Sequence, residues 1–275
     1  VMLTYFHVAM SAENCSTRRF RLGARELALE IYTGNIYGQL SQVPGNLGQF
    51  HAELEGFYRA QGFTSADTNP VERIPKLVTQ YSDHVTIIRD PASRAVMGVM
   101  CMRSKLVEGR LVTHIMEVRL DPAIKHGRIF KGIILPEIHR FQQNALLQAQ
   151  VAGQAISEFL VVSESNNPLI IWIFLHQYEH VPNPLEPEAM RFWDENPFYQ
   201  PVLLAFGNEP VSADHKGYDP KTMVYRGKHV VAKNHDQALA ERLPLPFANA
   251  YRLYIGLLDQ LVMIGKIPDF VRALF

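Results

Sequence analysis

The chain has 275 residues, with 27 basic against 27 acidic side chains and so a formal net charge of zero. That balance excludes a phosphate-driven nucleic-acid binder, which needs excess Lys and Arg to displace counterions. Hydrophobic residues at 47% and charged residues at 20% exclude a disordered or acidic tail protein and suffice for a sizeable core. Met2–Ala9 reads as a short apolar strand. Arg18–Tyr32 and Leu47–Ala60 place apolar residues at three- and four-residue steps and predict two helices. Pro44-Gly45-Asn46 separates them, and Gly62 with Asn69-Pro70 closes the region.

From His84 the pattern changes. His84–Arg89 is apolar and β-branched, Asp90-Pro91-Ala92-Ser93 supplies turn chemistry, and Ala95–Arg103 is a second apolar run, which together read as an antiparallel hairpin. Leu111–Leu120, after Glu108-Gly109, makes it a three-stranded meander. Gly98 inside the middle strand predicts a bulge or a close approach. A loop over Asp121–Gly127 leads into a helix over about Ile129–Gln150, and Phe159–Ser163 reads as a strand buried on both faces. Asn166-Asn167-Pro168 opens a helix to about His180, with Asn as cap and Pro in the first turn. His180–Pro197 is a long Pro-containing loop holding Trp193. Tyr199–Phe206 and Thr222–Val231 read as two last strands, and Leu243–Phe275 as a Pro-punctuated stretch ending in an apolar amphipathic helix.

Two cysteines, Cys15 and Cys101, cannot build a disulfide framework or a zinc site alone, so a reducing compartment is expected. The most apolar run, Pro168–Leu175, falls short of the ~20 residues a spanning helix needs. No basic residue precedes the apolar start, and Arg18, Arg19 and Arg21 stand where a cleavage site would follow, so no secretory signal is expected. A soluble, cytoplasmic protein is the resulting expectation. His176 and His180 have a spacing that can bind zinc, but the glutamate after the first histidine and a third ligand are missing. A helix end favouring cationic His explains the pair more simply, and no metal is expected. No Gly-x-Ser-x-Gly, Walker loop or Gly-x-Gly-x-x-Gly occurs. Asn234-His235-Asp236 resembles the histidine–aspartate pair of lipid acyltransferases, yet Ala240 stands where that motif has its Asp.

The order of these elements resembles the GNAT superfamily of acyl-CoA-dependent N-acetyltransferases. The hairpin around Asp90-Pro91 with Gly98 is similar to that family's second and third strands, and Glu117-Val118-Arg119-Leu120-Asp121-Pro122 to the end of its fourth. Lys125-His126-Gly127-Arg128-Ile129-Phe130 occupies the place of the acyl-CoA pyrophosphate loop, and Phe159–Ser163 with Asn167 that of the fifth strand and the next helix. The resemblance spans residues 84–231. It implies an α/β (α+β) fold with a mixed, mostly antiparallel central sheet flanked by helices. Residues 1–83 would add a first strand and extra N-terminal helices, and 232–275 a C-terminal helical extension, in one structural domain. Where the family's loop has Arg or Gln, Gly, then Gly or Ala, this chain has Lys125, Arg128 and Phe130, with Gly127 as its only glycine. Phe174 stands where the family often has its acidic tyrosine.

The resemblance implies acetyl-CoA or a longer acyl-CoA as co-substrate and an amine of a small molecule or a protein as acceptor. Backbone N–H groups at the helix start, with charge from Lys125, His126 and Arg128, would hold the phosphates; the competing reading is a basic, solvated turn. The pantetheine arm would lie between Met116–Leu120, with Val118 and Leu120 among its contacts, and Leu160–Ser163. Asn167 would donate to that arm or serve as an N-cap, and the two roles are compatible. Glu117 is the candidate general base, against the alternative of a surface Glu117–Arg119 pair on one strand face. Tyr178, one helical turn past Phe174, is the candidate general acid, against a core tyrosine. Phe192, Trp193 and Tyr199 cluster where a substrate pocket is expected. The departures at Phe174 and in the loop motivate a second reading, a catalytically degenerate module that binds CoA, an acyl ligand or a protein. Leu253, Leu257, Leu258, Leu261, Val262 and Ile264 form an apolar face expected to wrap the domain, cap the acyl pocket or mediate a homodimer.

Overall fold

The computed structural model describes residues 5–11, 15–22, 25–63, 74–124, 127–180, 202, 218–219, 224–225, 237–255 and 260–267. The chain divides into two units: Val1–Ser65, Asn69–Ser104 and Ile115–Leu146 in the first, Ala66–Thr68, Lys105–His114 and Leu147–Phe275 in the second. Strands β5 (Val96–Val107) and β6 (Arg110–Leu120) contribute residues to both. The architecture is the expected one: a mixed α/β fold whose sheet is mostly antiparallel and flanked by helices.

In the first unit β1 (Tyr5–Ser11), β2 (Cys15–Leu22), β3 (Arg25–Thr33), β4 (His84–Arg89), β5 and β6 follow one another across the sheet. Successive pairs from β1 to β5 are antiparallel. The helix expected over 18–32 is therefore wrong: these residues form β2 and β3. The reason lies in burial, since Leu27, Leu29 and Ile31 go into the core while Ala28 and Glu30 between them are only half-buried. A period of two places all three on one sheet face, whereas on a helix Leu29 would stand opposite Leu27 and Ile31. Helices α1 (Ile36–Ser41), α2 (Asn46–Ala60) and α3 (Ile74–Gln80) follow, and α2 matches its expected span. Asn35 caps α1, its Oδ1 accepting from the Gly38 N–H at 2.9 Å.

Strand β4 is buried along its whole length because both of its faces are covered. Ile88 joins Phe20, Leu29, Met100 and Met102 in a cluster with Ile129, Ile133, Ile138 and Phe141. Those last four belong to one continuous helical run, α4 (Gly127–Ile129), a π-helical turn over Phe130–Ile134, and α5 (Leu135–Val151). On the other face Arg89 bonds Glu30 at 2.6 Å and Glu53 of α2 at 2.7 Å. The meander matches expectation, and so does Gly98. A Cβ there would stand 2.9 Å from Leu120 Cδ2, 3.1 Å from Ile88 Cδ1 and 3.2 Å from the Arg119 carbonyl.

In the second unit, Glu108 and Gly109 join β5 to β6 with φ of 50° and 77°, the doubly left-handed backbone of a two-residue hairpin turn. Strand β7 (Glu158–Ser165) stands beside β6, where the Thr113 hydroxyl donates to the Leu160 carbonyl at 3.2 Å. Helix α6 (Pro168–Gln177) ends three residues before His180, since Tyr178 is extended and β8 (Glu179–His180) begins. Two short strands, β9 (Tyr218–Asp219) and β10 (Val224–Tyr225), are followed by α7 (Gln237–Ala240), α8 (Leu245–Tyr254) and β11 (Gln260–Lys266).

The expected C-terminal amphipathic helix is thus corrected in part. Leu253 lies in α8, but Leu261, Val262 and Ile264 lie in β11, antiparallel to β7 from Leu261↔Ser165 to Lys266↔Leu160. Residues 261–265 are buried without a break, and an apolar run covered on both faces carries no period to distinguish strand from helix. Leu257 and Leu258 lie outside the described residues. So does the strand expected over Tyr199–Phe206, apart from Val202, which is helical and buried. Of Thr222–Val231 only Val224–Tyr225 is described, as strand.

Gly98→Ala should lower the urea unfolding free energy by about 1–3 kcal/mol, the usual cost of overpacking a closed site. Acid should weaken the fold through His84. Burial, helped by Arg18 and Arg140, holds its pKa down at about 4 against 6.5 for the free side chain. Its contribution is present above pH 6.5 and is lost as pH falls towards about 4, because the unfolded chain then binds the extra proton. The full loss is on the order of 3 kcal/mol, and His84→Gln should flatten that part of the stability–pH curve.

Candidate functional site

The last turn of α2 and the end of β6 meet within the first unit, and the predicted base is there. Glu117 Oε1 lies 3.2 Å from Arg119 Nε, with 15% and 16% of the two side chains exposed. Both stand on one strand face, as the alternation requires. The pair is neither solvated nor sealed, which leaves the carboxylate within reach of solvent yet poorly hydrated. The Arg119 guanidinium carbon also sits 4.6 Å from the centre of the Phe63 ring, a cation–π contact.

Tyr58 completes this corner, and sequence reasoning missed it. Its ring meets Phe57 at 5.4 Å and Phe63 at 5.6 Å, both edge to face, and 1% of the residue is exposed. Its buried hydroxyl has no hydrogen-bond partner among the described residues. Burial pushes its ionisation well above the usual tyrosine range, with the charge of Glu117 and the nearness of its carboxylate to the hydroxyl acting in the same direction and Arg119 against it. Nothing in the sequence marks Tyr58 out from the neighbouring apolar positions of an amphipathic helix. Cys101, also near this corner, is fully buried and its thiol is pushed up to about 12, mainly by burial. That makes it an unreactive core residue.

Val118 and Leu120 turn to the opposite face, where they pack against the Ile-rich cluster under the 127–151 run. The turn after β6 is tied down at several points. The Asp121 N–H donates to the Met97 carbonyl at 2.8 Å, Asp121 Oδ1 accepts from the Ala123 N–H at 2.8 Å, and Ile124 is buried. Lys125 and His126 lie outside the described residues. Gly127 opens the helical run and Arg128 is exposed. Ile129 is wholly buried, and Phe130 packs against the same cluster as the first residue of the π-helical turn. The side chains of Ile129 and Phe130 are thus committed to the core, and anion chemistry here falls to backbone N–H groups and Arg128.

In the second unit Asn167 is the N-cap of α6. Its Oδ1 accepts from the N–H groups of Leu169 at 2.9 Å and Ile170 at 3.3 Å. The preceding Asn166 is buried, with its carbonyl accepting from the Tyr251 hydroxyl and its side-chain nitrogen unbonded among the described residues. Tyr178 has left the helix, so it does not share a helical face with Phe174 as expected. The two rings still touch, with centres 4.9 Å apart, and both residues are buried. A Cβ on Gly265 of β11 would lie 2.5 Å from Tyr178 Cβ, so the glycine is what lets the tyrosine pack there. His176 sits in the last turn of α6 with Nδ1 2.7 Å from the Trp172 carbonyl. His180 lies in β8, so the helical zinc spacing does not form. Among the described residues no group of three metal-ligating side chains is present. No helix among them is long and apolar enough to cross a membrane. Phe192, Trp193, Tyr199 and Asn234-His235-Asp236 lie outside the described residues.

No family model matches the chain, and no curated protein sequence does. Among solved structures it is similar to Arabidopsis thaliana Naa50 in complex with the bisubstrate analogue CoA-Ac-MVNAL, at 13% identity and a TM-score of 0.23. That match covers 35% of this chain and 57% of the other. A bacterial toxin matches at 12% identity and a TM-score of 0.29, over 40% of this chain and 65% of its own. The chain therefore spans less than two thirds of either neighbour. Scores at this level carry neither fold nor activity over to this chain.

Asn167→Ala should cost about 1 kcal/mol (range 0.5–2) in chemical denaturation, the usual price of an N-cap. Asn167→Ser, which keeps an accepting oxygen, should recover most of it.

Proposed function

We propose that the chain is an acyl-CoA-dependent N-acyltransferase, moving an acetyl or longer acyl group to an amine of a small molecule or protein. The observation that carries the reading is Glu117, a half-buried carboxylate near the end of β6, followed directly by a pinned turn and a long helical run. Backbone N–H groups at the start of that run, with Arg128, Lys125 and His126, are the assigned pyrophosphate ligands. Asn167 is assigned to the pantetheine arm through its side-chain nitrogen, because its oxygen is spent on the cap. Glu117 takes a proton from the acceptor ammonium. The neutral nitrogen then attacks the thioester carbonyl, the C–N bond forms, and the C–S bond breaks. The proton left on that nitrogen passes to the departing thiolate by way of Tyr178 or water, and Glu117 returns its own to solvent.

A second reading, a degenerate module that binds CoA or a protein without catalysis, is favoured by one feature. Phe174 stands at the family's acid position, buried and packed on Tyr178. Cytoplasmic residence and one structural domain belong to the same proposal, as does dimerisation through the C-terminal segment.

Calorimetry with acetyl-CoA and longer acyl-CoAs should show binding to at least one; no binding to any overturns both CoA readings. In a thiol-release assay over an amine panel, Glu117→Gln should lower kcat by roughly 100-fold or more, in the range of general-base contributions. Binding without thiol release from any amine decides for the module.

A further inference from the structure

We propose that Tyr58 is a positioning residue for Glu117, its hydroxyl holding the carboxyl group while the proton of the acceptor amine arrives on it. This rests on the acyltransfer reading of Glu117. The hydroxyl needs an explanation of its own, since burying one without a partner costs free energy and phenylalanine would fill the same space. The ring is fixed by Phe57 and Phe63, so the oxygen is held in one place. The groups that act on it are Glu117 and Arg119 from β6 and Cys101 from β5. Of these only Glu117 gains and loses a proton in the proposed reaction.

At rest Arg119 holds the carboxylate at 3.2 Å, while the Tyr58 hydroxyl lies near enough to Glu117 to feel it but makes no hydrogen bond of normal geometry. Proton transfer reverses that preference. A guanidinium only donates, so it has nothing to offer the O–H of a protonated Glu117. A phenol both donates and accepts, so Tyr58 can bond the carboxylate before the transfer and the carboxylic acid after it. Arg119 keeps its place over Phe63 meanwhile. Glu117 thus has one partner for the resting state and another that serves it through proton transfer.

The test uses the full chain with Tyr58→Phe, Glu117→Gln and the double variant. Because phenylalanine fills the same space and removes a buried hydroxyl that lacks a normal hydrogen bond, Tyr58→Phe should fold with a melting temperature no lower than the parent's. It should lower kcat roughly tenfold with KM unchanged, the size of a hydrogen bond to a charged group. That loss should vanish in the Glu117→Gln background. An unchanged kcat, or the same loss in both backgrounds, overturns the proposal. A second readout does not depend on turnover: the NMR shift, at neutral pH, of the labelled Tyr58 ring carbon that bears the hydroxyl, assigned by its loss in Tyr58→Phe. It should move in Glu117→Gln, because the carboxylate beside the hydroxyl is then neutral; an unmoved shift overturns the contact. If no amine supports thiol release, the acyltransfer reading falls and the positioning role with it, whereas the shift still decides whether hydroxyl and carboxyl interact.

Discussion

The geometry of the candidate site depends on an absent side chain. At Gly98 the middle strand of the meander gives up its Cβ, and Leu120, Ile88 and the Arg119 carbonyl close over the space. That approach fixes the end of β6 and the turn directly after it. Asp121 reaches back to the Met97 carbonyl, one residue before the glycine, and Ile124 and Ile129 drop into the core on either side of the helix start. Glu117 and Arg119 are thereby set on the face below α2, with Val118 and Leu120 on the opposite face against the 127–151 run. One glycine thus coordinates the base candidate, the turn and the helix start.

How much of this was legible follows from which signals are local. The meander was, because Asp90-Pro91 and Glu108-Gly109 are turn chemistry that depends on a few neighbouring residues. The Asn167-Pro168 helix start was legible for the same reason, and its two cap hydrogen bonds form as the residue types demand. What failed was period. Leu27 and Ile31 are four apart and suit a helix, and only the burial of Leu29 between them shows that the period is two. In β11 the difficulty is deeper: Leu261–Gly265 is covered on both faces, so the sequence pattern holds no information about which structure it takes. Its place beside β7 follows from pairing with residues about a hundred positions away, which no local window contains. Glu117 stands out in the sequence as a charge interrupting an apolar strand. Tyr58 does not, because its buried hydroxyl leaves no mark on the local pattern.

Zero net charge conceals strongly uneven placement. Arg89 is buried and bridges Glu30 and Glu53, and Glu137 is buried against Arg18 and Arg140. Such pairs add little net stability, since desolvation offsets most of the attraction, but removing one partner leaves a buried charge uncompensated. They act as constraints on register: Glu30 on β3 must face Arg89 on β4, and a slip of one residue would send each to the wrong side of the sheet. The Glu117–Arg119 pair differs because both members come from one strand, two residues apart. The pair sets no register between strands, although Arg119 also reaches the Phe63 ring.

The same distinction bears on the departure of the 125–130 loop from the GNAT pattern. Small residues in such loops matter when a side chain would block the approach of an anion to the backbone. Phe130 packs its ring against the Ile129, Ile133 and Ile138 cluster instead, and Ile129 is buried beside it. Their bulk is spent on anchoring the helix to the sheet. Asn167 divides its labour similarly, with the oxygen on the cap and the nitrogen at the other end of the amide. Backbone N–H groups depend on side chains only for where they are placed. A helix start held by the burial of Ile129 and Phe130 keeps its first backbone N–H groups without need of glycine.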